Sequence, residues 1–292
     1  MGHLRFPAFH LVILYTTVVQ ITEELIHVSM FPEAADYSFY SCRKEMLHMV
    51  TKAGGLLQTE LNNNTAFMEM WKGSTTCEAI PNGTTEHTTA LERYVKADPE
   101  FHKTFKKLVH TKSRVNSTYQ DMFPFKSLFF LLTDAMQLLK SNCKTVYSAA
   151  EEKYNFNTGD KVRFESFFPA NLEYSAATEE TATFETTGTV FNINSCSVIN
   201  LDEVCRPTSE DIELLISPTE VFTVGDIKTV STNDDDFIEI RLMHSHMYSS
   251  SNCSSLISMS KDSKESSSSF LSSSSLSVMA SLLMMYFYMP TL

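Results

Sequence analysis

Two acidic residues, Asp211 and Glu213, lie one position apart and directly precede the apolar run 214–216. Alternate side chains of a β-strand point to the same face, so this spacing predicts that both carboxylates project into one space. A pair of carboxylates at the edge of a buried strand is suited to acid or base catalysis. The competing interpretation is a solvated strand end, and the rest of the chain must decide between the two.

The overall composition excludes some classes of partner. The chain has 292 residues and a formal net charge of −12. Its length accommodates one domain of about 200–250 residues with tails. Nucleic-acid binding needs clustered Lys and Arg, so the acidic balance argues against a nucleic-acid partner.

The cysteines indicate an oxidising compartment. There are six of them, at positions 42, 77, 143, 196, 205 and 253. None forms a C-x-x-C pair, so we expect no metal site. An even, dispersed set is typical of disulfides in exported proteins.

Both ends of the chain resemble export signals. The apolar run 9–19 follows His3 and Arg5 and has the length of a signal-peptide core. We therefore predict a signal peptide over residues 1–24 and a folded domain over 25–255. Residues 256–292 hold a Ser-rich spacer and a short apolar tail, the pattern of a glycolipid-anchor signal. The alternative for this tail is a disordered segment with a weakly hydrophobic end.

Four N-x-S/T sequons agree with export, at Asn63, Asn82, Asn116 and Asn252. We therefore expect a glycoprotein on the extracellular face of the plasma membrane, held by a lipid anchor, or a secreted one.

Helical periodicity dominates the first half of the chain. We predict helices over residues 43–61, 65–72, 88–95, 99–113 and 125–139, the first of them interrupted by Gly54-Gly55. Asp98 is expected to cap the helix that starts with Pro99. The helix 125–139 is apolar on nearly all faces, which predicts a central buried helix in preference to a cofactor-binding segment.

Short runs of β-branched and aromatic residues dominate the second half. They predict strands over residues 144–147, 161–167, 181–184, 190–193, 213–216, 220–224 and 237–243. Helices followed by strands indicate an α+β fold, with an N-terminal helical part packed on a mostly antiparallel sheet.

Several segments, in order, resemble those of the vertebrate ecto-mono-ADP-ribosyltransferases. They are F-Y-S-C at 39–42, Trp71, the helix 125–135, V-R-F at 162–164, T-V-F-N-I-N-S-C at 189–196, E-L-L-I-S-P-T-E-V-F at 213–222 and S-S-S-N-C at 249–253. The resemblance covers roughly residues 30–255 and implies a fold of the ADP-ribosyltransferase type. It also implies transfer of ADP-ribose from NAD to arginine on a protein acceptor, by a monomer that needs no metal.

The resemblance further implies particular residue pairs and roles. Cys42 would pair with Cys253 and Cys143 with Cys196, which leaves Cys77 and Cys205 for a third bridge. Glu213 would be the catalytic acid that steadies the positive charge formed as nicotinamide leaves. Asp211 would position the acceptor guanidinium.

The same comparison shows where this sequence departs from the family pattern. Ser148 stands where the family has an NAD-binding arginine, and Pro169-Ala170-Asn171 replaces its serine motif. Asp211 replaces the first glutamate of the family's E-x-E pair. Losing one such preorganised contact costs about 2.7–4 kcal/mol of transition-state stabilisation.

Two functional hypotheses follow. In the first, the chain is an active transferase in which Ser148, Arg163 and Asn171 contact NAD, with Lys161 as a further substitute for the missing groups. In the second, it is a cell-surface binding protein that keeps the fold but has lost catalysis.

Overall fold

The computed structural model describes residues 30–31, 34–112, 119, 121–139, 142–151, 154–205, 212–231, 236–249 and 253. The predicted signal peptide (1–24) and tail (256–292) lie outside these residues. Asp211, Asn116 and Asn252 lie outside them as well.

Seven helices lie in the described part of the chain. They are α1 (Arg43–Thr51), α2 (Leu56–Asn63), α3 (Thr65–Trp71), α4 (Thr85–Val95), α5 (Pro99–Lys112), α6 (Lys126–Leu138) and α7 (Tyr174–Thr181). The predicted interruption of the first helical segment is confirmed. Gly54 adopts a φ of +64°, a left-handed conformation that glycine accepts without steric cost, and it separates α1 from α2.

The starts of α4 and α5 are fixed by side-chain caps. Asp98 Oδ1 accepts a hydrogen bond of 2.8 Å from the Phe101 N–H, which confirms it as the cap of α5. α4 starts three residues earlier than predicted. His87 Nδ1 accepts a 2.9 Å bond from the Thr84 N–H, and the two residues form a capping box.

The centre of the helical half is α6, as predicted from its apolar composition. Ten of its thirteen residues, from Ser127 to Met136, are buried. The carboxylate of Glu60 accepts hydrogen bonds from the Lys126 and Ser127 N–H groups at 3.0 and 2.9 Å. Glu60 therefore satisfies backbone donors at the start of α6 that would otherwise be buried without partners.

The second half forms two sheets. The strands are β1 (Lys144–Ala150), β2 (Lys161–Arg163), β3 (Phe168–Ala170), β4 (Thr189–Ser195), β5 (Ile199–Asn200), β6 (Leu214–Ile216), β7 (Glu220–Ser231) and β8 (Asp236–Met247). The larger sheet has the order β1-β4-β8-β7-β2 and the smaller one the order β3-β6-β5. Only the β4–β8 pair among the described strands is parallel, which confirms the predicted α+β fold with a mostly antiparallel sheet.

Two strand predictions are corrected. The segment 161–167 is divided between β2 and the approach to β3, which belong to different sheets. The strand predicted over 181–184 is wrong, because these residues end α7 and turn away from it. The hydroxyls of Thr181 and Thr183 donate to the Thr178 and Glu180 carbonyls three residues back, so the β-branched side chains cap a helix end instead of packing in a sheet.

Two of the three disulfides join the helical half to the strand-rich half, and the third links the start of β1 to the end of β4. The pairs are Cys42–Cys253, Cys77–Cys205 and Cys143–Cys196, as the family resemblance implied. The first spans 211 residues, and closing a loop of that length stabilises the fold by about 5 kcal/mol in the chain-entropy model. No helix in the described ranges is both long and apolar enough to cross a membrane.

Candidate active site

Three strands meet where the sequence motifs of the site lie. The backbones of Tyr147 in β1 and Asn171 exchange two hydrogen bonds, of 2.9 and 2.7 Å. Asn171 directly follows β3, whose Ala170 pairs with Leu214 of β6. Glu213 immediately precedes Leu214. The topology therefore brings together the chain positions of Ser148, Asn171 and Glu213, which are up to 65 residues apart in the sequence.

Glu213 is half-buried and lies just before β6, not within it as predicted. Its Oε2 atom is 3.4 Å from the Leu172 N–H, which donates to it. Its own carbonyl accepts a 3.0 Å bond from Leu201 N–H, and this bond fixes its backbone. The backbone of Glu213 thus has a defined position, and its carboxylate makes one long contact among the described residues. The predicted pairing with Asp211 concerns a residue outside the described ranges and stays a prediction.

Ser148 is a buried residue of β1, 6% exposed, and it pairs with Phe191 of β4. It offers one hydroxyl group where the resembled family has a cation. A hydroxyl can hydrogen-bond to a phosphate oxygen but cannot neutralise its charge. The electrostatic contribution of the family arginine is therefore absent at this position.

Arg163 in β2 is 1% exposed and holds the N-terminal segment of the domain. Its guanidinium donates five hydrogen bonds to backbone carbonyls, those of Met30, Phe31, Ala34, Ala35 and Pro218. A guanidinium has five N–H donors, so these contacts engage all of them. This arrangement supports a structural role for Arg163 rather than the expected contact with NAD.

The Lys161 side chain also bonds to other side chains of the domain. Its Nζ atom donates to the hydroxyls of Thr223 and Ser245. It does not line the cleft described next.

A cleft of about 620 Å³ opens between α5 and the strand-rich half. We call it the aromatic cleft, because its walls include the rings of Phe156, Phe164, Phe168, Phe191 and Phe222. The Phe164 and Phe168 rings stack with centroids 3.6 Å apart. Pro169 and Ile212 also line the cleft, and they lie close in the chain to Asn171 and Glu213. The candidate catalytic edge therefore borders a space large enough for a small-molecule ligand.

Helix α5 contributes two lysines and two histidines to the aromatic cleft, besides Arg163 of β2, and none of the four was among the predicted site residues. His102, Lys103, Lys106 and His110 line one side of it. Lys106 and His110 both contact the Glu165 carboxylate, at 3.0 and 2.9 Å. Their spacing of three and four residues, which places side chains on one helix face, was the signal available in the sequence.

One group of possible metal ligands occurs in the described part of the chain, namely Cys196, Glu220 and His244. Cys196 is engaged in a disulfide. The fully buried Glu220 carboxylate accepts five hydrogen bonds, from the Ser195 and Ser197 hydroxyls, the Cys196 and Ser197 N–H groups and His244 Nδ1. These contacts describe a structural polar network that joins β4, β7 and β8.

Comparison with known proteins agrees with this geometry. Residues 28–250 match the family described as NAD:arginine ADP-ribosyltransferase. The chain is 27% identical to ecto-ADP-ribosyltransferase 5 of Rattus norvegicus, over 68% of each protein. It is 29% identical to T-cell ecto-ADP-ribosyltransferase 1 of Mus musculus, over 74% of this chain and 72% of that one. It is 34% identical to GPI-linked NAD(P)(+)–arginine ADP-ribosyltransferase 1 of Mus musculus, over 48% of this chain and 42% of the relative.

The fold is also similar to a solved structure. The crystal structure of the eucaryotic mono-ADP-ribosyltransferase ART2.2 superposes with a TM-score of 0.61 at 24% sequence identity. The match covers 78% of this chain and 98% of the other. At this identity the similarity establishes the fold, and it confirms the predicted ADP-ribosyltransferase type.

Proposed function

The chain belongs to the NAD:arginine ADP-ribosyltransferase family, and from that premise we propose that it binds NAD in the aromatic cleft and transfers ADP-ribose to arginine slowly. The observation that carries this proposal is the strand register, which brings the chain position of the retained Glu213 close to that of the buried Ser148. Their chain neighbours Ile212 and Ala149 line the cleft. Glu213 supplies the negative charge that the reaction needs. Ser148 lacks the positive charge with which the family arginine holds the substrate.

The proposed reaction breaks the bond between the ribose C1 carbon and the nicotinamide nitrogen, and the bonding electrons leave with nicotinamide. Positive charge develops on the ribose carbon and its ring oxygen. A fixed carboxylate at Glu213 stabilises this charge because it is oriented before the bond breaks. A guanidinium nitrogen of the acceptor then bonds to C1 and releases a proton. We assign Asp211 the task of positioning that guanidinium.

The contacts proposed for NAD follow from the lining of the cleft. Phenyl rings such as Phe164 and Phe168 offer apolar faces to the nicotinamide or adenine ring. Lys103 and Lys106 would supply positive charge near the pyrophosphate in place of the family arginine. Asn171 would hydrogen-bond the ribose. A mutant of ART2.2 has been crystallised in complex with NAD, which is consistent with use of this fold for that substrate.

An extracellular location is proposed together with this activity. The three disulfides support an oxidising compartment, and the names of the relatives include ecto-enzymes and a GPI-linked enzyme. Asn63 and Asn82 are exposed, as glycosylation sites must be. We propose that the domain 25–255 is a monomer held at the cell surface through the segment 256–292, where it meets arginine-bearing protein acceptors.

The second candidate function is recognition without turnover. The observation that favours it is Ser148, a buried and uncharged residue of β1 at the position where the family has an arginine. In that case NAD or another ligand would bind the aromatic cleft without nicotinamide release.

One experiment separates these functions. The glycosylated full chain is expressed on animal cells, purified and incubated with labelled NAD and agmatine, an arginine analogue. We expect transfer at least 10² below that of a relative with the family arginine and serine, since at least one preorganised contact is missing. Calorimetric titration with NAD then distinguishes binding without turnover from no binding. Transfer at the rate of the complete relative would contradict the proposal.

A further inference from the structure

A second pocket, of about 300 Å³, lies at the seam between the helical half and the end of the larger sheet. We call it the hydroxyl pocket, because Thr133 of α6 and Ser197, Ser217 and Thr219 of the strand-rich half all line it. It shares no lining residue with the aromatic cleft. Its function therefore does not rest on the proposed function of that cleft.

The four hydroxyl groups are buried and most are held in fixed positions. Their side chains are at most 8% exposed. The Ser197 hydroxyl donates to Glu220 and accepts from the Ser217 N–H at 3.1 Å. The Ser217 and Thr219 oxygens are 2.8 Å apart. Only one hydrogen can lie between two hydroxyl oxygens, so the second hydrogen of this pair remains available to a ligand.

Thr133 contributes a hydroxyl residue from the helical half to the wall of the pocket. It is 2% exposed, and its Oγ1 atom has no hydrogen-bond partner among the described residues. A buried hydroxyl without a partner is unfavourable for folding. The oxygen is enclosed by protein atoms, so a ligand in the pocket reaches it only after a small movement of the pocket wall.

The rim of the pocket adds aromatic surface. Tyr40 lines it and is 87% exposed, so one face of its ring is open to a ligand. Tyr248 also lines the pocket, and its N–H donates to the Thr219 carbonyl at 2.7 Å. No lining residue is charged.

We propose that the hydroxyl pocket binds a neutral saccharide. A sugar ring presents hydroxyl groups that both donate and accept hydrogen bonds, which matches an array of serine and threonine hydroxyls. Its C–H face packs against an aromatic ring, which Tyr40 offers at the entrance. The absence of charged lining residues disfavours anionic or cationic ligands, because their charge would be buried without a partner.

The test uses saturation-transfer NMR on the glycosylated full chain. The probes are the methyl glycosides of mannose, galactose, glucose, N-acetylglucosamine and N-acetylgalactosamine. We expect at least one of them to bind. We expect Tyr40→Ala and Thr219→Val each to weaken that binding by about tenfold. Thr229→Val is the matched control, because Thr229 is an exposed β7 residue outside the pocket.

Thermal unfolding is measured for each variant. Tyr40 is almost wholly exposed, so Tyr40→Ala tests the pocket even where Thr219→Val fails to fold. The experiment is repeated after enzymatic removal of N-linked glycans. Binding that occurs only after removal identifies the protein's own glycan as the occupant, and binding in both states identifies an external glycan. If no probe binds in either state, or if both pocket variants bind like the control, the pocket holds water only and the proposal is wrong.

Discussion

Tyr147 and Asn171 hold each other by a reciprocal pair of backbone hydrogen bonds, and this bridge attaches the end of β3 to the middle of β1. Because Ala170 pairs in turn with Leu214, Ser148 and Glu213 are joined through backbone bonds alone. Side chains at these positions can therefore change without loss of the geometry. A change in activity after substitution of Ser148 or Glu213 can therefore be attributed to the side chain itself.

Replacing Glu213 by glutamine tests its catalytic charge. The amide has the shape of the carboxylate but lacks its negative charge, so we expect residual transfer to fall by about 10²–10³. NAD affinity and the unfolding temperature should stay near those of the parent, because among the described residues the Glu213 carboxylate accepts one long bond, from Leu172 N–H. Single-turnover assays and thermal unfolding measure both. An unchanged transfer rate would exclude Glu213 from catalysis.

Replacing Ser148 by arginine should restore the cation that the family carries there. We expect NAD affinity to rise by about tenfold, equivalent to about 1.4 kcal/mol, through contact with the pyrophosphate. Ser148→Met is the matched control, since it adds length without charge. Overpacking at this buried position costs about 1–3 kcal/mol of stability in both variants. Equal affinities in the two variants would show that charge at this position is not what limits NAD binding.

The lysines of α5 are expected to take part in NAD binding. Lys103→Met and Lys106→Met remove positive charge from the wall of the aromatic cleft. Each should weaken NAD binding severalfold and reduce its dependence on salt. Lys107→Met is the control, because Lys107 is exposed on the same helix and does not line the cleft. Titration calorimetry at two salt concentrations measures the affinity for NAD. An equal loss of affinity in Lys107→Met would exclude a local contact between NAD and the other two lysines.

Arg163 should matter for stability more than for NAD. Arg163→Lys keeps the charge but has three N–H donors in place of five, so at least two buried carbonyls lose their partner. We expect a loss of unfolding free energy of about 2–4 kcal/mol, measured in urea. Lys161→Met should cost much less, because Lys161 is exposed. Loss of NAD binding in a fully stable Arg163→Lys protein would support the cofactor role instead.

Glu92 in α4 should make stability depend on acidic pH. Burial acts to raise its pKa, but hydrogen bonds from Thr75, Thr76 and Lys96 outweigh it and lower the pKa from 4.5 to about 2. A depressed folded-state pKa contributes stability that is complete above pH 4.5 and lost as the pH falls towards 2. The shift corresponds to on the order of 3 kcal/mol.

The measurement for Glu92 is the unfolding free energy between pH 2 and 6. Glu92→Gln should flatten the slope in this range. Glu100→Gln, which alters an exposed residue of α5, should keep the slope of the parent protein. If the unfolding free energies of the parent and Glu92→Gln depend on pH in the same way, the lowered pKa of Glu92 is contradicted.

Much of the fold could be predicted because it follows from local pattern. The uniform apolarity of residues 126–138 made α6 a buried helix, and Asp98-Pro99 marked the start of α5. The strand predicted at 181–184 failed because threonine satisfies its hydroxyl equally well at a helix end. Composition alone does not distinguish a threonine in a strand from a threonine at a helix end.

The site was predicted only in part, since it is formed by residues that are distant in the sequence and close in the structure. Ser148, Asn171 and Glu213 were named in advance, and the strand register brings their chain positions together. The engagement of Arg163 by five carbonyls could not be predicted, because those carbonyls belong to two segments distant in sequence. The hydroxyl pocket likewise combines residues from positions 38 to 249.

The disulfide between Cys42 and Cys253 has a mechanical consequence. A pulling force on the chain beyond residue 253 acts on the domain at this disulfide and is transmitted to the start of α1. β8, which ends at Met247, is bypassed by this load, so its hydrogen bonds to β4 and β7 are not peeled apart one by one. A domain tethered by its C-terminal tail would thus resist tension through a covalent bond, and its ligand sites would keep their shape under strain from the tether.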